Sequence, residues 1–151
     1  MNIYIKLQKI QAELKAPKSK RNNFGKYNYR SLEDIMEALK PLLQKYACLC
    51  RMDDEITMIG DRFYVRSTIH LIDTESDQAI NATAYAREAL TKKGMDESQI
   101  TGTASSYARK YACNGLFLID DTQDADTDGY QNVQNAAKKR PAKKPAPKFD
   151  P

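Results

Sequence analysis

The apolar residues of the first fourteen positions recur with the period of a helix, and Pro17 follows them. A helix has 3.6 residues per turn, so spacings of four, three and four residues place these side chains on one face. We therefore predict an amphipathic helix that ends before this proline. The residues on its apolar face are Ile3, Leu7, Ile10 and Leu14.

A second helical pattern begins after Ser31. This serine is a favoured N-cap residue, and two acidic residues follow it in the first turn, beside the positive end of the helix dipole. Apolar residues continue at helical spacing to Leu43. Pro41 lies inside the pattern and predicts a kink or the start of a second short helix, because proline lacks the backbone N–H.

Between these helices, residues 17–30 are polar and basic, so we predict a loop or an extended arm there. From residue 48 to residue 88 the pattern changes to the two-residue alternation of β-strands. Two adjacent acidic residues, Asp53 and Asp54, interrupt the alternation and predict a turn. The predicted strands are Cys48–Met52, Ile56–Ile59, Arg62–Asp73 and Ala79–Glu88.

The lengths of two turns predict how these strands pair. A two-residue turn at 60–61 places Ile56 opposite Val65. A four-residue turn at 74–77 places Val65 opposite Ala86. Both hairpins then put their apolar side chains on one common face, and an error of one residue in either turn would destroy this agreement. The opposite face carries Glu55, Thr57, Arg62, Tyr64, Arg66, His70, Thr83, Tyr85 and Arg87.

A third helix follows a linker that contains two lysines. Asp96 is its predicted N-cap, Gln99 occupies the capping-box position, and Gly115 is a plausible C-terminal stop. Arg109 and Lys110 are expected to project from the side opposite to the apolar one. That apolar side is predicted to contain Ile100, Ala104, Tyr107, Ala108 and Tyr111.

These elements predict an α+β fold: an antiparallel β-meander of three to four strands, with helices packed on one face. The length of 151 residues fits one domain. We predict a core domain over residues 1–128. Residues 129–151 are rich in Lys, Pro and Ala and without periodicity, so we predict a disordered basic tail.

Charge is segregated along the chain. Residues 1–30 hold eight Lys or Arg and one Glu, and residues 131–151 have a net charge of +5. Residues 120–130 contain five Asp and no basic residue. Basic ends around an acidic segment indicate a polyanionic partner.

The three cysteines and the N-terminus indicate a soluble, intracellular protein. Three is an odd number of cysteines in a chain without a secretory signal, so we expect reduced thiols. Lys6 and Lys9 interrupt the first apolar pattern, which is therefore no signal peptide. No apolar run approaches the length of a transmembrane helix.

Basic and aromatic residues recur together in the arm, on the polar sheet face and on the third helix. Single strands are held without sequence readout when bases stack on aromatic rings and Lys or Arg contact the phosphates. The alternative is a solvated sheet face with ordinary cross-strand Arg–Tyr pairs. The recurrence favours DNA binding, for which the candidate residues are Lys18, Lys20, Arg21, Lys26, Tyr27, Tyr29, Arg30, Arg62, Tyr64, Arg66, Tyr85, Arg87, Lys92, Lys93, Arg109 and Lys110.

Catalytic and metal-binding patterns are weak. Residues 124–129 match the first half of a calcium loop, but position twelve is Asn135 instead of Glu. A two-metal nuclease could use Asp120, Asp121 and Asp124, although these do not converge from separate elements. His70 is the single histidine, and no phosphate-binding Gly-rich loop of the ATPase type occurs. We therefore expect a protein without enzymatic activity, cofactor or metal.

Three blocks of the sequence resemble the Erf (essential recombination function) family of single-strand annealing proteins from phages and prophages. The resemblance spans about residues 5–128, and the third block is long and ungapped. The blocks are NNFGKYNYRSLEDI (22–35), AYAREA (84–89) and KGMDESQITGTASSYARKYACNGLFLIDDTQDAD (93–126). The candidate residues within them are Lys26, Tyr27, Tyr29, Arg30, Arg87, Ser105, Ser106, Tyr107, Arg109 and Lys110.

The resemblance implies ATP-independent annealing of complementary single-stranded DNA during homologous recombination, in the cytoplasm of a bacterial host. It also implies a fold similar to those of the Redβ-type and eukaryotic Rad-type annealing proteins. Expected partners are single-stranded DNA and further copies of the chain in a ring or helical filament, with a phage exonuclease or a host single-strand binding protein as further candidates. The rival interpretations are a DNA-binding module that does not anneal, and the metal-dependent nuclease.

We expect the DNA to lie in a positively charged groove. The third helix and the arm would form one wall, and the Arg- and Tyr-bearing sheet face would form the other. The acidic segment 120–128 is expected to contact a neighbouring copy's basic arm, a metal or only solvent.

Overall fold

A computed structural model describes residues 1–119 of the chain, and the elements below belong to that part. The predicted boundary at residue 128, the basic tail, the calcium-loop pattern and the Asp120–Asp124 cluster lie outside it. The observed elements confirm the α+β class. They are α1 (Ile3–Glu13), β1 (Lys20–Asn22), β2 (Tyr27–Tyr29), α2 (Leu32–Lys45), β3 (Cys48–Ile59), β4 (Arg62–Asp73), β5 (Ala79–Arg87) and α3 (Glu97–Phe117).

Strands β3, β4 and β5 form an antiparallel meander in that order, and its register is the predicted one. Ile56 pairs with Val65, and Val65 pairs with Ala86. Gly60 has a φ of +63°, a left-handed conformation that the tight turn requires and that glycine adopts at little cost.

The predicted turn at Asp53 and Asp54 is wrong, because β3 continues through both residues for twelve positions. Asp53 pairs with Thr68 and Asp54 with Ser67 in the ladder. The carboxylate of Asp53 contacts His70 on β4, and that of Asp54 contacts Ser67 on β4 and Arg109 on α3. Acidic residues are usually disfavoured in strands, and these contacts stabilise them here.

All three helices pack on one face of the meander, as predicted. Buried Ile3 and Ile10 of α1 and Ile35 and Leu39 of α2 join one core cluster with the sheet. The α2 helix runs through Pro41 as a single helix, so the second short helix predicted there does not form. Its buried side chains and the Ser31 capping box offset the one backbone hydrogen bond that proline removes.

A buried ion pair fastens α1 to the end of β4. Lys6 is only 2% exposed, and its Nζ lies 2.8 Å from Asp73 Oδ1 and 2.6 Å from Glu75 Oε2. The hydrogen bond from Lys6 holds the pKa of Asp73 below its ordinary value, and Asp73 in turn raises the pKa of Lys6. The sequence pattern did not reveal this contact, because the partners are 67 residues apart.

The middle of the buried side of α3 is a row of small residues. Ala104 and Ala108 pack against Val65 of the sheet, and these positions are buried. Tyr107 and Tyr111, which were predicted to belong to this side, are instead 49% and 46% exposed. Small side chains let the helix approach the sheet closely, so the bulky tyrosines are turned outward.

The end of α3 also differs from the prediction. The helix passes Gly115 and ends at Phe117, with Leu118 in a left-handed C-cap conformation (φ 54°). Leu116 and Phe117 are buried in the core, so their packing extends the helix beyond the predicted glycine stop.

Candidate nucleic-acid interface

Residues 20–29 form a two-stranded hairpin rather than the predicted loop or extended arm. Asn22 pairs with Tyr27, and the side-chain oxygen of Asn22 accepts hydrogen bonds from the backbone N–H groups of Phe24 and Gly25, both at 3.0 Å. Lys26 adopts a left-handed φ of 54°. Gly25 is needed because a Cβ there would lie 2.2 Å from a carbon of the Tyr27 ring.

The hairpin places two tyrosines side by side and joins them to α3. The rings of Tyr27 and Tyr29 meet edge to face, with centroids 6.3 Å apart. The ammonium of Lys110 on α3 lies 5.7 Å from the centre of the Tyr29 ring, within the range of a cation–π contact. Tyr29 therefore connects the basic hairpin to the outer surface of α3.

Next to Lys110, Tyr107 and Tyr111 form an outward-facing aromatic pair. They are one helical turn apart, and their ring centroids are separated by 6.1 Å. Their exposure is not evident from the sequence, because both tyrosines fit the periodicity of the buried face. We call the combined region the hairpin–helix surface. It consists of Lys18, Lys20, Arg21, Lys26, Tyr27, Tyr29, Tyr107, Lys110 and Tyr111.

The charge of the hairpin–helix surface is strongly biased. Residues 18–30 contain five Lys or Arg and no acidic residue. Lys18, Lys20 and Lys26 are exposed, and Arg21 donates a hydrogen bond to Asn28 at 3.2 Å. Exposed cations beside half-exposed rings match the two requirements for holding a single strand.

The helix-free sheet face carries the second predicted set, and its charges are largely paired. Arg66 lies 3.3 Å from Glu55. His70 and Arg51 both contact Asp53, at 2.9 and 3.2 Å. The face therefore has a weaker positive field than its arginines alone would give. Tyr64, Tyr85 and Arg87 lie on this face in the predicted register.

The two sets lie on opposite sides of the sheet. Because α3 packs on the face of Val65 and Ala86, Arg66 and Tyr85 point away from it. The predicted groove, with these two sets as its walls, therefore does not form within one copy. A groove with both walls would need two copies of the chain.

Three predicted DNA-binding arginines have partners inside the protein. Arg109 points to the sheet, where its Nε lies 3.1 Å from both carboxylate oxygens of Asp54. The Nε of Arg30 donates a hydrogen bond to the carbonyl of Ala16 at the base of the hairpin. The Nη2 of Arg62 donates a hydrogen bond to the carbonyl of Glu88 at 2.8 Å. Their contact with DNA stays a prediction.

Asp54 is the centre of the contact between α3 and β3. It accepts hydrogen bonds from Arg109 and Ser105 of α3 and from buried Ser67 of β4. Burial raises the pKa of the Asp54 carboxyl, but these hydrogen bonds outweigh the effect and leave it below its ordinary value. The remaining predicted residues, Lys92 and Lys93, are exposed in the loop between β5 and α3.

Within residues 1–119, no group of three or more His, Cys, Asp or Glu side chains could hold a metal ion. The three cysteines are free thiols, and burial raises the pKa of Cys50 and of Cys113 to about 12. None of the helices in this part of the chain has both the length and the apolar character that crossing a bilayer demands.

Comparison with known proteins confirms the family resemblance of the three sequence blocks. The model of the ERF superfamily matches residues 3–149. The chain is 53% identical over 134 residues to the essential recombination function protein of Salmonella phage P22. This match covers 89% of the chain but only 63% of the length of the phage P22 protein. No solved structure matches.

Proposed function

Because the chain belongs to the ERF superfamily, we propose that it acts in phage homologous recombination by binding single-stranded DNA and annealing complementary strands without ATP. The name of the phage P22 relative, essential recombination function protein, supports the recombination role. The chain spans 63% of that relative's length, so the activity proposed here is that of residues 1–151.

The hairpin–helix surface is the observation that carries the proposal. Tyr107 and Tyr111 offer ring faces to bases, and Lys110 and the hairpin lysines offer charges to phosphates. Each stacked base contributes roughly 1–3 kcal/mol in proteins of this type. Stacking and phosphate contacts are independent of sequence, which suits a protein that must accept any strand.

Annealing requires that the base edges stay free to pair. Contacts to phosphates and ring faces leave the Watson–Crick edges open to a complementary strand. Several copies side by side, in a ring or helical filament, would hold a strand extended over many bases. The proposal includes this homo-oligomer, a phage exonuclease or host single-strand binding protein as a further partner, and a location in the bacterial cytoplasm.

The direct test mixes complementary oligonucleotides, labelled with a fluorophore and a quencher, with protein and without ATP. We expect annealing to be faster than the spontaneous rate. Annealing at the spontaneous rate, with the strands bound, would identify a DNA-binding module that does not anneal. Degradation of labelled single strands in magnesium would instead favour the nuclease, whose candidate residues lie outside the described part of the chain.

Two charge reversals on opposite sides of the sheet locate the strand. Lys110→Glu should weaken single-strand affinity about tenfold and reduce the slope of log affinity against log salt by about one or two, because it removes a phosphate contact and adds repulsion. Arg66→Glu is the matched control, and it should have a smaller effect because Glu55 already engages Arg66. Loss of affinity in Arg66→Glu alone would place the strand on the sheet face.

A further inference from the structure

The tip of the β1–β2 hairpin presents a phenylalanine entirely to solvent. Phe24 is 101% exposed, although its backbone is held by the side chain of Asn22. The turn is further defined by Gly25, whose missing Cβ leaves room for Tyr27, and by the left-handed Lys26. Burial of this side chain against a partner would remove its apolar area from water, which is favourable.

A pocket that fits such a ring lies near the N-terminal end of α3. Its volume is about 340 Å³, and it is open to solvent on one side. Phe63, Leu90 and Ile100 supply apolar walls, and Phe63 and Leu90 are 50% and 76% exposed. Apolar side chains are therefore exposed to solvent both at this pocket and at the hairpin tip.

The hairpin is basic, whereas carboxylates outnumber cations among the residues that line the pocket. The hairpin segment 18–30 carries five cations and no acid. The pocket is lined by two carboxylates, Glu88 and Glu97, and by one cation, Arg62, which already donates to the Glu88 carbonyl.

The side chain of Phe24 is fully exposed, so it does not occupy the pocket of its own copy. Lys110, which holds the hairpin, lies about 15 Å along α3 from Ile100 in the pocket. We propose that Phe24 of one copy inserts into the Phe63–Leu90–Ile100 pocket of the next, with the basic hairpin beside Glu88 and Glu97. The contact joins two different surfaces, so repeated copies form a ring or a filament. This inference rests on the oligomer in the proposed function and names its contact.

Two variants, measured by sedimentation velocity without DNA, test the contact. Phe24→Ala removes the inserted ring, and Ala89→Trp fills the pocket without changing its charge. We expect oligomers for the wild type, monomers for each variant alone, and dimers in a 1:1 mixture, since one intact contact can form there. Tyr4→Ala, which removes another highly exposed aromatic ring (69%), should assemble like the wild type.

The contact would be refuted if Phe24→Ala had the mass of the wild-type oligomer, or if the 1:1 mixture of the two variants stayed monomeric. If Phe24→Ala kept the wild-type mass but bound a labelled oligothymidylate more weakly, Phe24 would instead be a DNA contact. Thermal unfolding of each variant within a few degrees of the wild type confirms folding. Annealing measured on the wild type separates the two proposals. If the wild type forms oligomers through this contact but does not anneal DNA strands, only the proposed function is refuted. If the wild type anneals DNA strands and Phe24→Ala assembles normally, only the proposed contact is refuted.

Discussion

Replacing Asp54 by alanine should loosen α3 from the sheet. The Asp54 carboxylate accepts from Ser67 at 2.6 Å, from Ser105, and from Arg109 at 3.1 Å through each oxygen. Through these hydrogen bonds and the ion pair with Arg109, Asp54 links β3 to β4 and α3. Truncation removes all of these contacts at once.

The size of the effect follows from how buried each partner is. Ser67 is 0% exposed, so its hydroxyl would lose its acceptor away from water, at a cost of about 1–3 kcal/mol. Arg109 and Asp54 have side chains 36% and 23% exposed, so their pair adds up to about 1 kcal/mol. Asp54→Ala should therefore lower the free energy of unfolding by roughly 1–4 kcal/mol and the melting temperature by roughly 3–15 °C.

The assay is urea unfolding followed by circular dichroism and by tyrosine fluorescence, since the chain has nine tyrosines and no tryptophan. The pKa of Asp54 is lowered from its ordinary 3.8, so its stabilising effect is fully present above about pH 4. That effect is lost as pH falls through the pKa of the folded state. The difference between wild type and Asp54→Ala should therefore shrink below pH 4.

Asp53→Ala is the matched control. Asp53 is the next residue of β3, but its side chain is 53% exposed on the helix-free face, where it pairs with Arg51 and His70. Its loss should cost less than about 1 kcal/mol. Equal stabilities for Asp54→Ala and the wild type, or a larger loss for Asp53→Ala, would refute the role assigned to Asp54.

Three further predictions concern the hairpin–helix surface and the thiols. Tyr107→Ala and Tyr111→Ala should each weaken single-strand affinity by roughly 5- to 150-fold, because each stacked base contributes about 1–3 kcal/mol. In fluorescence-anisotropy titrations the slope of log affinity against log salt should not change, and an unchanged affinity would exclude base stacking. Gly25→Ala would place a methyl group 2.2 Å from Tyr27, so amide exchange across residues 20–29 should accelerate; unaltered exchange would contradict the packing. Iodoacetamide should modify the buried Cys113 slowly at pH 8 in the folded protein, because burial raises the pKa of this thiol to about 12, and rapidly in urea. Fast modification of the folded protein, measured by mass spectrometry, would contradict this burial.

The meander could be predicted because its information is local. Turn lengths at 60–61 and 74–77, combined with the alternation of β4, place Val65 opposite both Ile56 and Ala86 without any tertiary knowledge. The same argument placed Arg66 and Tyr85 on a common face. Periodicity and turn geometry are sufficient where sequence neighbours are also spatial neighbours.

The remaining features depend on contacts distant in sequence. Three-residue strands such as β1 are too short for a periodic signal, so the hairpin was missed. Asp54 resembled a turn residue because its partner Arg109 is 55 positions away. Tyr107 fits the helical period of the buried row, and only close packing of Ala104 and Ala108 on the sheet decides that it faces outward.

The contacts of α1 have a consequence for how the chain folds as it is synthesised. This helix is synthesised before the sheet, yet its Lys6 pairs with Asp73, and its Gln11 donates a side-chain hydrogen bond to the carbonyl of Leu116, 105 residues later. At synthesis rates of about 5–20 residues per second, the apolar face of α1 stays uncovered for at least several seconds, whereas the β-hairpins close in microseconds. The helix is thus synthesised early but docks late, and in that interval its exposed isoleucines are a natural target for a chaperone.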